Sequence, residues 1–430
     1  MKLSINFYSE TEKKAFYLHL IYSVLDGIIL GVLALNEFIL IKELKASPYQ
    51  IGILFQFTTV VLLFSIPFNE FIKRKVNKTK FLRLIAILTR APLLLLFIFP
   101  KSISAQTDQL LYQFLFLGIF LIYYSTNPLI FPMINGYLKN SYKHENFSKL
   151  YGYASTANKI IMLVATFLFG LLLDFKSYSY TFVYPFLAIL GISSIYILTQ
   201  IKYQAPVVQK TGSIFKSLKK IQKNLLHIIK TNKPFRDFEI GFMFYGFAWL
   251  VSIAVIAMFL KNELNLSYSG IAFYKNFYTM VSVILTPFFG KLMGKVNPRK
   301  FAVYTFLMML FYLLFMGLTQ FFPAHIEIFN IKIYWSLLIS FLSYGIFGAM
   351  MGILWYIGSA YFSKDKNAAD YQSIHLSLTG VRGSFAPLVG IIFYKYFDYS
   401  GVFLIGIFSL LIAILSQIIS LRRHKINFKK

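Results

Sequence analysis

The sequence predicts an all-α polytopic membrane protein with twelve transmembrane helices in two parallel six-helix repeats. Three observations lead there: a series of apolar runs each long enough to cross a bilayer, an uneven placement of basic residues among the loops, and an internal repeat whose offset never changes.

The apolar runs come first. Of 430 residues, 57% are hydrophobic and 14% charged, and mean hydropathy is +0.64, whereas a soluble domain carries roughly 25% charged residues. Apolar stretches lie near 16–41, 49–69, 81–100, 109–136, 148–173, 178–201, 239–260, 269–290, 301–321, 332–360, 371–394 and 400–420. Each suffices for a tilted helix. Backbone groups in hydrocarbon must bond internally, and the runs lack the alternation of barrel strands, which leaves helices. The first run follows Glu10, Glu12, Lys13 and Lys14 without a small-residue cleavage site, so it reads as a retained span. Cysteine is absent, which excludes disulfides, thiolate metal sites and Cys nucleophiles and leaves the redox compartment open.

Orientation follows from charge. With a cytoplasmic N-terminus, the inside segments (the N-terminal tail, 69–83, 137–149, 202–237, 290–300, 362–370 and 421–430) hold 32 of the 43 Lys and Arg, and the outside loops hold seven. The positive-inside rule requires this asymmetry. Both termini are therefore expected in the cytoplasm, with the protein integral to the cytoplasmic (inner) membrane. The net charge of +27 is then a feature of topology and lipid contact, not of nucleic-acid binding.

The repeat keeps its register throughout. Leu40, Glu43, Leu44, Ser47, Ile51, Phe57, Thr59 and Val61 recur as Leu260, Glu263, Leu264, Ser267, Ile271, Phe277, Thr279 and Val281. Pro67, Phe68, Lys75, Val76, Asn77, Lys80 and Phe81 recur as Pro287, Phe288, Lys295, Val296, Asn297, Lys300 and Phe301, and Tyr151 and Gly170 match Tyr371 and Gly390. An even number of spans separates the copies, so they share one orientation. The domains are then a six-helix bundle at 1–201, a linker at 202–237 and a second bundle at 238–430. The linker carries nine Lys or Arg. Within it Ile214, Phe215, Leu218, Ile221, Leu225 and Ile228 follow helical spacing, as in an amphipathic helix on anionic lipid or a plain solvated connector.

These features resemble the major facilitator superfamily over essentially the whole chain. The family's loop motif, roughly G-x-L-x-D-R-x-G-R-R, is similar to GKLMGKVNPRK from Gly290 to Lys300 and, more weakly, to EFIKRKVNKTK from Glu70 to Lys80. Gly294 and Arg74 stand where the motif has Asp. The resemblance implies structural or gating roles for Glu70, Arg74, Lys75, Gly290, Gly294, Lys295 and Arg299, without the carboxylate latch. It further implies a secondary transporter working by alternating access, with spans 1, 4, 7 and 10 around the substrate. YQSIHLSLTGVRGSFAPLVG, from Tyr371 to Gly390, is similar to span 11 of bacterial members. The GP signature of drug/proton antiporters is missing from span 5.

Phosphate-binding loops of the GxxxxGK[ST] type, HExxH and GxSxG are absent, so no enzyme and no cofactor is expected. Function then rests on polar groups within the spans, where ionisable residues are costly and mark pathways. In span 1, His19, Asp26 and Glu37 are seven and eleven residues apart, which places all three within roughly 20° of one line on the helix. Arg90, Lys159 and Arg382 lie near mid-membrane, and His375, Thr379 and Arg382 form a stripe on span 11. Arg90 reads as a structural pair or a snorkelling residue. Asn127 and Pro128 interrupt span 4, and Trp355, Tyr356 and Trp249 are candidate substrate contacts. Gly27, Gly31, Gly345, Gly348 and Gly352 suit close helix crossings.

With Asp26 read as the one acid at this depth, the excess of cations suggests an anionic small-molecule substrate. Asp26 is the favoured proton-coupling carboxylate, with Lys159 and Arg382 meeting substrate charge. The expected partners are that substrate, a proton and membrane lipid, and the expected state is a monomer. A drug or lipid exporter of the same fold is the alternative, and a non-transporting membrane sensor or scaffold is the alternative of another class.

Overall fold

The computed structural model describes residues 7, 9–64, 68, 77–101, 108–142, 144–201, 223, 226–293, 295–329, 331–363 and 368–424. Most of the expected linker helix, from Ile214 to Leu225, lies outside them, as do Glu70, Arg74, Lys75 and Gly294 and the side chain of Tyr356. The chain forms an all-α polytopic membrane protein. By length and composition, nine helical stretches among the described residues can cross a membrane. One of these, Tyr371–Arg423, contains the last two expected spans, while Pro48–Phe64 is shorter.

Two compact units make up the chain: Met1–Ala46 with Phe64–Ile214, and Ser47–Leu63 with Phe215–Lys430. The sequence reading assigns Ser47–Leu63 to the first bundle, but its contacts lie in the second unit. Gln56 Nε2 donates to the Ser384 carbonyl at 2.7 Å, and Gly52 packs on Ile391.

In the first unit, α1 (Glu10–Leu33) starts on Ser9, whose hydroxyl accepts from the Glu12 amide. It ends before Leu35 (φ −113°, ψ 7°), and α2 (Asn36–Lys42) follows. The interruption at Ala34 and Leu35 thus falls between Asp26 and Glu37, which sit on separate helical segments. The next helix, α3 (Pro48–Val60), belongs to the second unit and carries a capping box of Ser47 and Gln50. The first unit resumes with α4 (Lys78–Arg90), a tighter 3₁₀ stretch at Ala91–Ile98, α5 (Gln109–Tyr124) and α6 (Asn127–Ser141). The helix interrupts at Ser125 and Thr126, and Pro128 sits in the first turn of α6, where its missing N–H costs nothing. Next come α7 (His144–Phe175) and α8 (Tyr180–Leu198).

The second unit contains α9 (Lys233–Met258) running into a π turn at Phe259–Glu263, then α10 (Tyr268–Met293) and α11 (Pro298–Phe321). Two strands, β1 (His325–Ile328) and β2 (Ile331–Tyr334), pair antiparallel with Glu327 opposite Lys332. The start of the tenth apolar stretch is thus strand, and the helix α12 begins at Trp335 and ends at Ile357. The chain finishes with α13 (Ala368–Gly383) and α14 (Ala386–Arg423), which kinks at Asp398.

The repeat is visible in backbone hydrogen bonds. Leu44 N donates to Ile39 O and Ala46 N to Leu40 O, and at the matching positions Leu264 N donates to Phe259 O and Leu266 N to Leu260 O. Ser47 and Ser267 then cap the next helices, each accepting from the amide three residues on. Asn77 and Asn297 cap the helices after those, with side-chain oxygens accepting from Lys80 N and Arg299 N.

Candidate functional site

Each unit gathers polar groups around its first long helix. In the first unit, α1 lies close against α7 because Gly27 and Gly31 have no side chains. A Cβ on Gly31 would stand 2.6 Å from the Met162 carbonyl, and one on Gly27 would stand 2.5 Å from the Asn158 carbonyl. That approach lets Asn158 Nδ2 reach both the Ser23 carbonyl at 2.8 Å and Asp26 Oδ2 at 3.2 Å. Asp26 is half-buried. Lys159, the residue after Asn158 in α7, is also half-buried.

His19 is buried, its Nδ1 sharing a hydrogen bond with the Tyr142 hydroxyl at 2.8 Å and its ring packed on Tyr151. Burial, followed by the charge of Glu12, pushes the Tyr142 phenol above its ordinary value, so the phenol enters this bond as a neutral hydroxyl. Arg90 does not snorkel. It is 7% exposed, donates to the Thr89 and Thr126 hydroxyls at 2.7 and 3.2 Å, lies over the Tyr123 ring and is within Coulombic reach of Asp26. Glu37 sits beyond the helix break, near the Tyr124 and Tyr184 hydroxyls. Both tyrosines hydrogen-bond the neighbouring Asn36. Asn127, half-buried, opens α6.

In the second unit His375, Thr379 and Arg382 follow one another along α13, Thr379 donating to the His375 carbonyl and accepting from Arg382, and Glu239 joins them from α9. His375 is 1% exposed, and its Nδ1 lies 3.1 and 3.0 Å from the two Glu239 oxygens. Trp355 stands edge-on to the imidazole at 4.4 Å and Phe242 at 4.8 Å. Arg382, 2% exposed, donates to the Phe242 carbonyl and to the Thr379 hydroxyl at 3.2 Å. Its guanidinium faces the Tyr245 and Trp355 rings. His375 Nε2 and Arg382 Nε are buried without a hydrogen-bond partner. Trp249 is directed elsewhere, donating from its indole to the Tyr344 hydroxyl at 3.3 Å.

Glu239 is the member that sequence reasoning missed. Placed at the edge of the seventh apolar stretch, it reads as interfacial, yet α9 begins six residues earlier and Glu239 is 4% exposed. The signal was available: the offset that carries Leu40 to Leu260 also carries His19 to Glu239, which places the two at equivalent points of the repeat. Asn158 was missed because an uncharged amide carries no cost flag.

The loop-motif residues divide. Gly290 and Lys295 are exposed. Arg299 is fully buried and binds the end of α14, donating to the Ser420 carbonyl and hydroxyl at 2.8 and 2.9 Å and to the His424 carbonyl at 2.7 Å. Among the candidate crossing glycines, Gly345 packs tightly on the Tyr278 carbonyl and Val281 and Gly348 meets Ser282, but Gly352 has nothing within 4 Å.

Apolar helices with buried polar clusters on α1 and α9 fit the family that the loop motif suggests, and the family model for the Major Facilitator Superfamily matches residues 18–369 and 240–427. The chain belongs to the Major Facilitator Superfamily. No curated protein sequence matches it. Among solved structures it is similar to the nucleoside transporter NupG, at TM-score 0.64 and 11% identity over 96% of this chain and 100% of that one. A bacterial homologue of the human drug peptide transporters PepT1 and PepT2 gives TM-score 0.67 at 10% identity, covering 96% and 98%. The inward open xylose transporter XylE from E. coli gives 0.61 at 14%, covering 94% and 95%. This superfamily member is an integral membrane transporter and not an enzyme.

Proposed function

We propose that this transporter moves a small anionic solute across the cytoplasmic membrane by alternating access, coupled to protons. Asp26 is the coupling carboxylate, and Arg382 with Lys159 meets the substrate's charge. Arg382 carries the reading. Its buried guanidinium is held by a carbonyl, a hydroxyl and two aromatic faces, and its Nε–H has no partner. Glu239, the nearby acid, is spent on His375. A buried cation in this state gains from an anion that supplies the missing acceptors. Asp26 suits proton exchange because its hydrogen-bond donor is a neutral amide, so protonation breaks no ion pair with that group. The same reading keeps both termini cytoplasmic and the protein monomeric.

Purified protein in proteoliposomes tests this. An imposed inward proton gradient drives uptake of a radiolabelled solute from a panel of small organic and inorganic anions, and Asp26→Asn abolishes gradient-driven uptake while still exchanging solute. Normal concentrative uptake by folded Asp26→Asn protein removes Asp26 from the coupling role.

A further inference from the structure

The Glu239–His375 couple is more than a clamp between α9 and α13. The equivalent point of the first unit is held by His19 and Tyr142, with the buried carboxylate of Glu12 within Coulombic reach of the phenol, so there the imidazole bonds a hydroxyl and not an acid directly. In the second unit the same position carries two groups that titrate, both almost fully buried. One imidazole nitrogen is bonded to the carboxylate and the other, Nε2, points into the interior without a partner.

The surroundings limit what the pair can do. Arg382 on α13 lies within Coulombic reach of Glu239, Tyr245 on α9 lies beneath the Arg382 guanidinium, and the buried Tyr371, one turn before His375 on α13, packs on Phe235, one turn before Glu239 on α9. α12 contributes Trp355, and α11 contributes Phe306 through its contacts with Phe242 and Tyr245. These are apolar walls. With Glu239 ionised and His375 neutral, the pair offsets Arg382 and the cluster is neutral. One added proton on the imidazole makes the pair neutral and leaves the charge of Arg382 uncompensated.

We infer that Glu239 and His375 form a second proton-binding site, loaded by a single proton, whose loading gives the cluster around Arg382 the net positive charge that an anion then neutralises. This rests on the anion-transport reading above and adds to it a site in the second unit. The proton enters at the imidazole, no covalent bond other than N–H forms, and the carboxylate stabilises the imidazolium at 3.0 Å.

Trp355 provides a readout that needs no transported solute, because an imidazolium in edge contact quenches indole emission. In a Trp249→Phe, Trp335→Phe background Trp355 is the remaining tryptophan of the three. Emission of that protein in lipid nanodiscs, followed from about pH 9 to about pH 5, is expected to fall in one single-proton step. His375→Gln, which keeps a hydrogen bond to Glu239, is expected to abolish the step. Glu239→Gln is expected to move it to lower pH, because the imidazolium loses its counter-charge. Asp26→Asn is expected to leave it unchanged, so this site stands or falls apart from the coupling role of Asp26. A pH-independent emission, or a step that survives in folded His375→Gln protein, overturns the inference. If His375→Gln fails to fold, an unshifted step in Glu239→Gln overturns it equally.

Discussion

Lys45 and Asn265, which occupy equivalent positions of the repeat, both adopt left-handed backbone, with φ 49° and 46°. Each follows a helix closed by the same pair of backbone bonds, so the duplication preserved a turn geometry while the side chain changed. The two residue types tolerate this conformation differently. A left-handed residue with a Cβ costs roughly 1–2 kcal/mol, and Asn lowers that cost through local hydrogen bonding, whereas glycine has a larger unfolded-state entropy of about 0.5–1 kcal/mol. Lys45→Gly should therefore stabilise the protein by about 0.5–1 kcal/mol, and Asn265→Gly should change little. Both positions are exposed, so thermal unfolding in detergent reads the backbone term directly. An equal effect at the two sites would refute the distinction.

Arg299 holds the end of α14 through three hydrogen bonds from one guanidinium. Positive charge at a helix C-terminus is favourable, and truncation here also leaves a cavity. Arg299→Ala should cost about 3 kcal/mol. Trypsin should also cut faster at Arg422 and Arg423 in this variant than in the parent. An unchanged melting temperature together with unchanged proteolysis would mean that the staple contributes nothing to stability.

Glycine spacing gives a paired test of helix packing. Gly31 faces the Met162 carbonyl and the Ala165 methyl, which lies 2.7 Å from where a Cβ would stand, while nothing comes within 4 Å of a Cβ at Gly352. Gly31→Ala should destabilise by about 1–3 kcal/mol through overpacking, despite the better helix propensity of alanine. Gly352→Ala has only that propensity gain, about 1 kcal/mol at most. Melting curves of the two variants should move in opposite directions, and parallel shifts would contradict the crossing.

Much of the fold was legible because bilayer thickness fixes the length of each apolar run, and the repeat shows in the matching helix ends and caps of its two copies. What sequence could not show were the places where regular helix fails. The break at Ala34 and Leu35 falls in VLALN, with neither Gly nor Pro to announce it, and it puts Glu37 on a separate helical segment from His19 and Asp26. The hairpin at His325–Tyr334 did leave a trace. Ile326, Ile328, Ile331 and Ile333 alternate with polar or aromatic neighbours, a period-two signal hidden by the apolar helix that follows. Within the site, charge cost identified Asp26, His375 and Arg382, but the partners that define their chemistry are neutral groups or sit at a span edge, as Asn158 and Glu239 do.

Gly246 provides the seat for Arg382. A Cβ built at this glycine would run into the guanidinium carbon and two of its nitrogens, so Gly246→Ala must push the head group off the Phe242 carbonyl and away from the Tyr245 and Trp355 rings. Glycine occupies the point equivalent to Asp26 in the repeat, which places a bare backbone in the second unit where the first has its carboxylate. If Arg382 meets the substrate's charge, displacing it by a methyl group should weaken apparent affinity for the transported anion by about tenfold to a hundredfold, the range that about 1–3 kcal/mol of misplacement gives. Arg382→Lys should lose affinity too, since a point charge cannot keep the planar contacts. Uptake kinetics in proteoliposomes should then show that Gly246→Ala adds little to Arg382→Lys, as expected when both changes act through one guanidinium. Fully additive losses would mean that Gly246 serves the packing of α9 against α13 and that Arg382 does not depend on it.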